Sequence, residues 1–220
     1  MATLPESATR RYRGSSAEER RAQRREQLIR AAIRVYGQRG YRNATVKSVC
    51  EAAGLTERYF YESFRNSEAL LVAAYRAVNH VLLKRLEAAG AQAAGGPADK
   101  AAAILDAYYR ALKDDPGSAR LFLVEVAHVS PAVDEVLAGT LQRFGDLIAR
   151  TLNGDASPRE PLLRAGVVGG ILHIAIGWVA SGYRAPIEEV GAAALRLCLL
   201  LGGEPRGREQ AADPANISAA

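Results

Sequence analysis

TVKSVCEAAGLTERYFYESF, residues 45–64, decides how the rest of the chain is read. Val46, Val49, Cys50 and Ala53 recur at i, i+3, i+4 and i+7, which is one face of a short helix. Thr45 stands just before that face, where a hydroxyl can accept a free amide of the first turn. Gly54 follows its last apolar residue, where a left-handed cap costs glycine little. Leu55 plugs the corner, Thr56 can cap a second helix, and Phe60 and Phe64 give that helix two buried anchors four residues apart. Glu57, Arg58, Tyr59, Tyr61 and Glu62 are then left on its open side. Two short helices joined by a three-to-four-residue turn with glycine predict a helix-turn-helix. The second helix is short enough to enter a major groove. A plain helical hairpin in a core has the same spacing, so the flanks must decide.

Charge is the first discriminator. The formal net charge of the 220-residue chain is +5. Residues 1–66 carry 14 Lys and Arg against 7 Asp and Glu, whereas the remainder is slightly acidic. The positive excess therefore coincides with the motif, as expected where nucleic acid is bound. A solvated basic face or a tail for anionic membranes is the competing reading.

The run from Leu28 to Leu71, LIRAAIRVYGQRGYRNATVKSVCEAAGLTERYFYESFRNSEALL, resembles the DNA-binding domain of the TetR family of transcriptional repressors. The resemblance rests on Ala31-Ala32, Tyr36, Gly40-Tyr41, Ala44-Thr45-Val46, Ala53-Gly54-Leu55, Tyr61, Phe64 and Glu68 to Leu71, in order and without a gap. It implies that Thr45, Lys47, Thr56, Tyr61 and Ser67 position the protein on DNA phosphates, and that Glu57, Arg58 and Tyr59 face bases. Two residues depart from the family pattern. Ser67 stands where the family usually has a phosphate-touching Lys, and keeps a hydroxyl without the charge. Glu57 stands where a basic or small residue is common; a carboxylate there suits the helix dipole and can accept from a cytosine amino group.

The remaining sequence predicts an all-α fold of about nine helices, with no sustained period-two alternation. A disordered basic arm over 1–16 holds Arg10, Arg11 and Arg13; these could enter a minor groove, and a mobile tail is the commoner outcome. The helix-turn-helix domain is expected over 17–65, opened by a helix over 17–38 whose first half is charged all round. A regulatory and dimerisation domain is expected over 66–203. Its helices are read from Asn66 to the break at Gly90, then over 97–113, 118–129, 130–152, 165–183 and 186–201, followed by a disordered tail over 204–220.

The segment Ala165–Tyr183 is the most apolar. It is borderline in length for a membrane span but contains His173 and stands alone, so burial against a second copy is the alternative reading. Gly166 and Gly170 make a G-x-x-x-G pair that would admit a partner helix. The resemblance implies that the last two helices dimerise as a four-helix bundle.

No phosphate-binding, hydrolase or metal-ligand motif is present, and His80, His128 and His173 lie far apart without matching acids or thiols. Neither enzyme activity, a cofactor nor a metal is expected. Cys50 and Cys198 lie on apolar helix faces, which fits a reducing cytoplasm, and no apolar leader opens the chain.

The resemblance further implies a ligand pocket in the C-terminal domain. Tyr75, Tyr108, Tyr109, Phe122, His128, Phe144, His173 and Trp178 are the candidate lining, although most could be plain core. Few charges fall on these apolar faces, which favours an uncharged or amphipathic effector. The expectation is a homodimeric regulator that a small ligand releases from a palindromic double-stranded operator. A DNA-binding dimer without a ligand, and a small-molecule-binding protein or enzyme that retains the motif, are the alternatives.

Overall fold

The computed structural model describes residues 16–154 and 160–202. The basic arm with Arg10, Arg11 and Arg13, most of the loop before Pro161 and the tail over 204–220 lie outside the described residues. Among the described residues there are nine α-helices and no strand.

Ser16 opens α1 (Ala17–Arg39) through a reciprocal cap. Its hydroxyl accepts from the Glu19 amide at 3.0 Å, and the Glu19 carboxylate accepts from the Ser16 amide at 2.7 Å. Only the second half of α1 is buried, from Leu28 to Tyr36. A single 3-10 turn, Tyr41–Asn43, leads into α2 (Val46–Ala53) and α3 (Glu57–Ser63).

Asn66 caps α4 (Ser67–Gln92), its side-chain oxygen accepting from the Ala69 amide at 2.8 Å. This helix is 26 residues long, about 39 Å at 1.5 Å per residue. It passes straight through Gly90, which the sequence suggested as a break. A Cβ at Gly90 would come within 2.9 Å of Ile104, so glycine there serves close packing and does not end the helix.

The C-terminal helices are α5 (Pro97–Asp114), α6 (Pro116–Arg120), α7 (Pro131–Asn153), α8 (Pro161–Ala180) and α9 (Ile187–Leu199). Helix α5 is the central one and packs on α4, α7, α8 and α9. One apolar core runs from Leu28 of α1 to Cys198 of α9.

The helix expected over 118–129 is different in form. Asp115 caps α6 two residues earlier, accepting from the Ser118 amide at 3.0 Å, with Pro116 favourable at the first helical position. The chain then widens into a π segment, Leu121–Glu125, and leaves the helix before His128. His128 has φ 58° and donates its amide to Asp134 at 3.2 Å, which fixes the turn into α7.

Helix α8 begins four residues before the expected start, with Pro161 at its first position, and stops at Ala180. Tyr183 is left-handed at φ 61°, and its hydroxyl donates to the Leu112 carbonyl at 3.1 Å. The two glycines of the G-x-x-x-G pair do not act together. A Cβ at Gly170 would meet Leu197 of α9 at 2.9 Å, whereas Gly166 faces open space.

The N-terminal unit is seated on the C-terminal one at a close crossing of α1 and α6. A Cβ at Gly37 would lie 2.6 Å from the Gly117 Cα, so glycine at 37 is what allows the backbones to approach. Beside it, the nearly buried Glu125 carboxylate accepts from the Tyr41 amide at 2.7 Å and from the Arg120 guanidinium at 2.8 Å.

Candidate nucleic-acid interface and interior cavity

The turn between α2 and α3 is fixed at both ends. Thr45 and Ser48 cap α2 reciprocally, the two amide-to-hydroxyl bonds being 3.0 and 3.1 Å. Gly54 is left-handed (φ 66°, ψ 32°), and the Leu55 amide reaches back to the Cys50 carbonyl at 2.9 Å. Thr56 occupies the cap position of α3, but its hydroxyl makes no capping bond and is exposed. Phe60 and Phe64 are buried and hold α3 against α1, as their spacing predicted.

Glu57 and Arg58 are exposed at the start of α3, and Tyr61 is 60% exposed. Lys47 is exposed on α2, and Ser67 is half-buried in the first turn of α4. Tyr59, expected at the bases, lies on the side of α3 next to α1. Its ring is half-buried under the Arg24 guanidinium, 4.4 Å from the ring centroid, because its position on α3 turns it toward α1. Glu62 is likewise held by Arg24 at 3.7 Å and by Arg58 at 3.1 Å.

The charged first half of α1 therefore has a partner that residue patterning did not reveal. Arg21 donates to the Glu62 carbonyl at 2.7 Å, Arg24 covers Tyr59, and Arg25 lies over the Phe64 ring at 5.0 Å. Each of these arginines clamps α3 from behind. Their one legible signal is the i, i+3, i+4 spacing of Arg21, Arg24 and Arg25, which a solvated face shares.

The candidate ligand residues separate into three groups. Tyr108, Phe122 and Phe144 line a small apolar cavity of about 30 Å³, with Leu86, Leu141 and Ile171 among its other walls. Such a volume holds about one or two waters and no organic ligand without opening. Tyr75, Tyr109 and Trp178 are packed into the aromatic core around it. Tyr75 stacks on Phe122 at 6.0 Å, and Tyr109 meets Trp178 edge-on at 5.6 Å. The Trp178 indole is satisfied by the Ala185 carbonyl at 2.8 Å. His128 and His173 are exposed, one in the turn before α7 and the other on the outer face of α8; neither reaches the cavity.

The core also holds polar atoms without partners. The hydroxyls of Tyr75, Tyr108 and Tyr109 and the side-chain oxygen of Asn79 are buried and unbonded. Burial pushes all three phenols above their usual range, so they stay neutral. Asn79 was not among the expected residues, although an amide four residues after Tyr75 on the buried face of α4 is a visible signal. An open groove of about 480 Å³ lies between α1, α4, α5 and α6, and Phe122 forms part of its wall as well as of the cavity's.

A capped helix-turn-helix with an exposed second helix, seated on a larger helical body, is an arrangement that can lay that helix in a major groove. Residues 28–74 match the profile of the "bacterial regulatory proteins, tetR family". No curated protein matches the sequence. The fold is similar to that of the fatty acid degradation regulator FadR from Bacillus halodurans, at 20% identity and TM-score 0.68, over 84% of this chain and 97% of that one. Bacillus subtilis FadR in complex with stearoyl-CoA is similar at 19% identity and TM-score 0.67, over 81% and 99%. A tetR-family regulator from Streptomyces coelicolor is similar at 18% identity and TM-score 0.68, over 82% and 80%. Residues 28–74 thus carry the N-terminal domain of the tetR family, and the helical body that follows has the fold of these regulators.

Proposed function

We propose that the protein is a cytoplasmic homodimeric repressor that binds a palindromic operator and leaves it when an amphipathic organic ligand opens the interior cavity. Residues 17–65 read DNA, and residues 66–203 dimerise and hold the effector; the action is binding and not catalysis. The observation that carries this reading is the pairing of an exposed α3 with an apolar cavity bounded by α4, the long helix that starts beside α3. Glu57 and Arg58 face the groove, while Thr45, Lys47, Thr56, Tyr61 and Ser67 sit against phosphates. Tyr59 supports α3 through Arg24. The stearoyl-CoA complex of a protein with a similar fold supports an acyl-chain ligand here as well.

The dimer rests on α8 and α9. Helix α8 is long and apolar enough to cross a membrane, yet only 28% of its most apolar window is buried within the chain. Leu162, Ile176, Leu199 and Leu200 are exposed beside Gly166, Gly169 and Gly177, which have open space above them. A second copy covers this face. The small volume of the cavity favours one rival reading, a DNA-binding dimer without a ligand.

The test is selection of a DNA site from a random pool, followed by titration of that site with and without medium-chain and long-chain acyl compounds. A selected palindrome whose affinity falls at least fivefold with one of them is the expected result. A palindrome that is bound equally well in the presence of every compound sinks the effector and leaves the DNA-binding dimer.

A further inference from the structure

Several buried polar atoms near the cavity make no hydrogen bond within the fold. The Asn79 amide nitrogen donates to the Tyr75 carbonyl at 2.8 Å. That bond fixes the orientation of the amide, because a carbonyl only accepts, and leaves the Asn79 side-chain oxygen as an unpaired acceptor. The Tyr75 hydroxyl lies toward Asn79 and Thr140 without a formed bond. Tyr108, 5% exposed, is a wall of the cavity, and its hydroxyl is also unpaired. The Tyr75 and Tyr108 rings both pack on Phe122, so Tyr75 and Asn79 stand behind the wall that Tyr108 and Phe122 give the cavity and reach a ligand only as it opens. A buried polar group left unpaired costs about 1–3 kcal/mol, which a ligand that supplies the missing partner would recover.

We propose that Tyr75, Asn79 and Tyr108 form an end-group site for an acyl-chain ligand that terminates in a neutral group with both a hydrogen-bond donor and an acceptor, of which a carboxamide is the simplest. The proposal rests on the effector-cavity reading above. The ligand's carbonyl oxygen accepts from the two phenols, and its N–H donates to the Asn79 oxygen. The alkyl chain lies among Leu86, Leu141, Phe144 and Ile171.

A carboxylate fits less well. It has no proton for Asn79 and would face that amide oxygen lone pair to lone pair. The one nearby cation, Arg143, is exposed and donates to Thr140 at 3.1 Å, so the site supplies no buried charge to replace the water a carboxylate loses. Opening the cavity is part of binding, since its resting volume is far below that of an alkyl chain.

The experiment is calorimetric titration of the full chain at pH 7.5 with octanamide, 1-octanol and octanoate. Octanamide is expected to bind at least tenfold more tightly than octanoate. Tyr108→Phe and Asn79→Leu should each lower octanamide affinity about tenfold, with little effect on 1-octanol. Tyr108→Phe removes an unpaired hydroxyl, so its melting temperature should equal or exceed that of the parent, which separates lost binding from lost folding. Octanoate binding as tightly as octanamide, or octanamide affinity unmoved by both substitutions, overturns the end-group site while leaving an effector cavity in place. If none of the three compounds binds and none changes operator affinity, the effector reading fails together with it.

Discussion

At the scale of single residues, α3 has an exposed front and a back held by α1. Arg58 is exposed at the front and tethered only to Glu62 one turn on, an exposed pair that is worth little and is free to exchange for a base. Arg58→Ala should cost about 1–3 kcal/mol of operator affinity and relax preference at one base-pair position, read by competition binding. With Tyr61 against a phosphate, as proposed, Tyr61→Phe should weaken all sequences alike, because such a contact carries no base information. Unchanged affinity and preference in both variants would place recognition elsewhere. At the back, Arg24 on Tyr59 shows what residue patterning left hidden. Phe60 and Phe64 announce a buried face through their spacing. Tyr59 and Tyr61 are chemically alike and two residues apart, and only the position of α1 decides which of them is covered.

At the scale of helices, the motif and the order of elements were legible because caps and glycines mark them locally. Thr45, Gly54 and Asn66 do in the structure what their chemistry suggests. Gly90 and the segment after Arg120 were not legible, since a glycine that accommodates Ile104 reads like a glycine that ends a helix. The crossing of α1 and α6 makes the same distinction testable. Gly37→Ala places a methyl 2.6 Å from the Gly117 backbone and should cost about 1–3 kcal/mol of stability. Gly117→Ala finds only ordinary contacts, at 3.5 Å and beyond, and should change stability by less than about 1 kcal/mol. Urea denaturation of the two variants checks the pair, and equal losses would mean that the crossing is not tight at Gly37.

At the scale of the molecule, an association surface follows from what α8 leaves uncovered. Ile176→Lys should convert the proposed dimer to monomer at micromolar concentration by light scattering, with the chain still folded. Gly170→Leu should instead disturb packing against Leu197 within one chain. A dimer that persists in Ile176→Lys would move the interface away from α8. Alkaline pH offers an independent measure of the core. Burial pushes the Cys198 thiol from its ordinary 9 up to about 12. A raised folded-state value means that the stability linked to this group is complete below pH 9 and is lost as pH climbs toward 12. By pH 11 the loss is about 2–3 kcal/mol, at roughly 1.4 kcal/mol per unit. Cys198→Ala, compared between pH 8 and pH 11, should show a shallower decline by about that amount, and a parallel decline would assign the effect to the buried tyrosines.

The π segment Leu121–Glu125 has a consequence of its own. It touches the cavity with Phe122 and the N-terminal unit with Glu125, three residues apart. Signal length is thereby cut to less than a single helical turn, whereas α4 spans 26 residues between the same two regions. A π turn holds one residue more per hydrogen-bonded ring than an α turn, so a return to α geometry would shift the register by one residue. Such a slip would turn Phe122 and Glu125 together, like two cogs on one short axle, and lift the carboxylate off the Tyr41 amide. Glu125→Ala imitates the disengaged position. It should quicken hydrogen exchange at Tyr41 at least tenfold while leaving exchange within α8 unchanged, so the loosening would be felt first at the turn that leads into the DNA-reading helices.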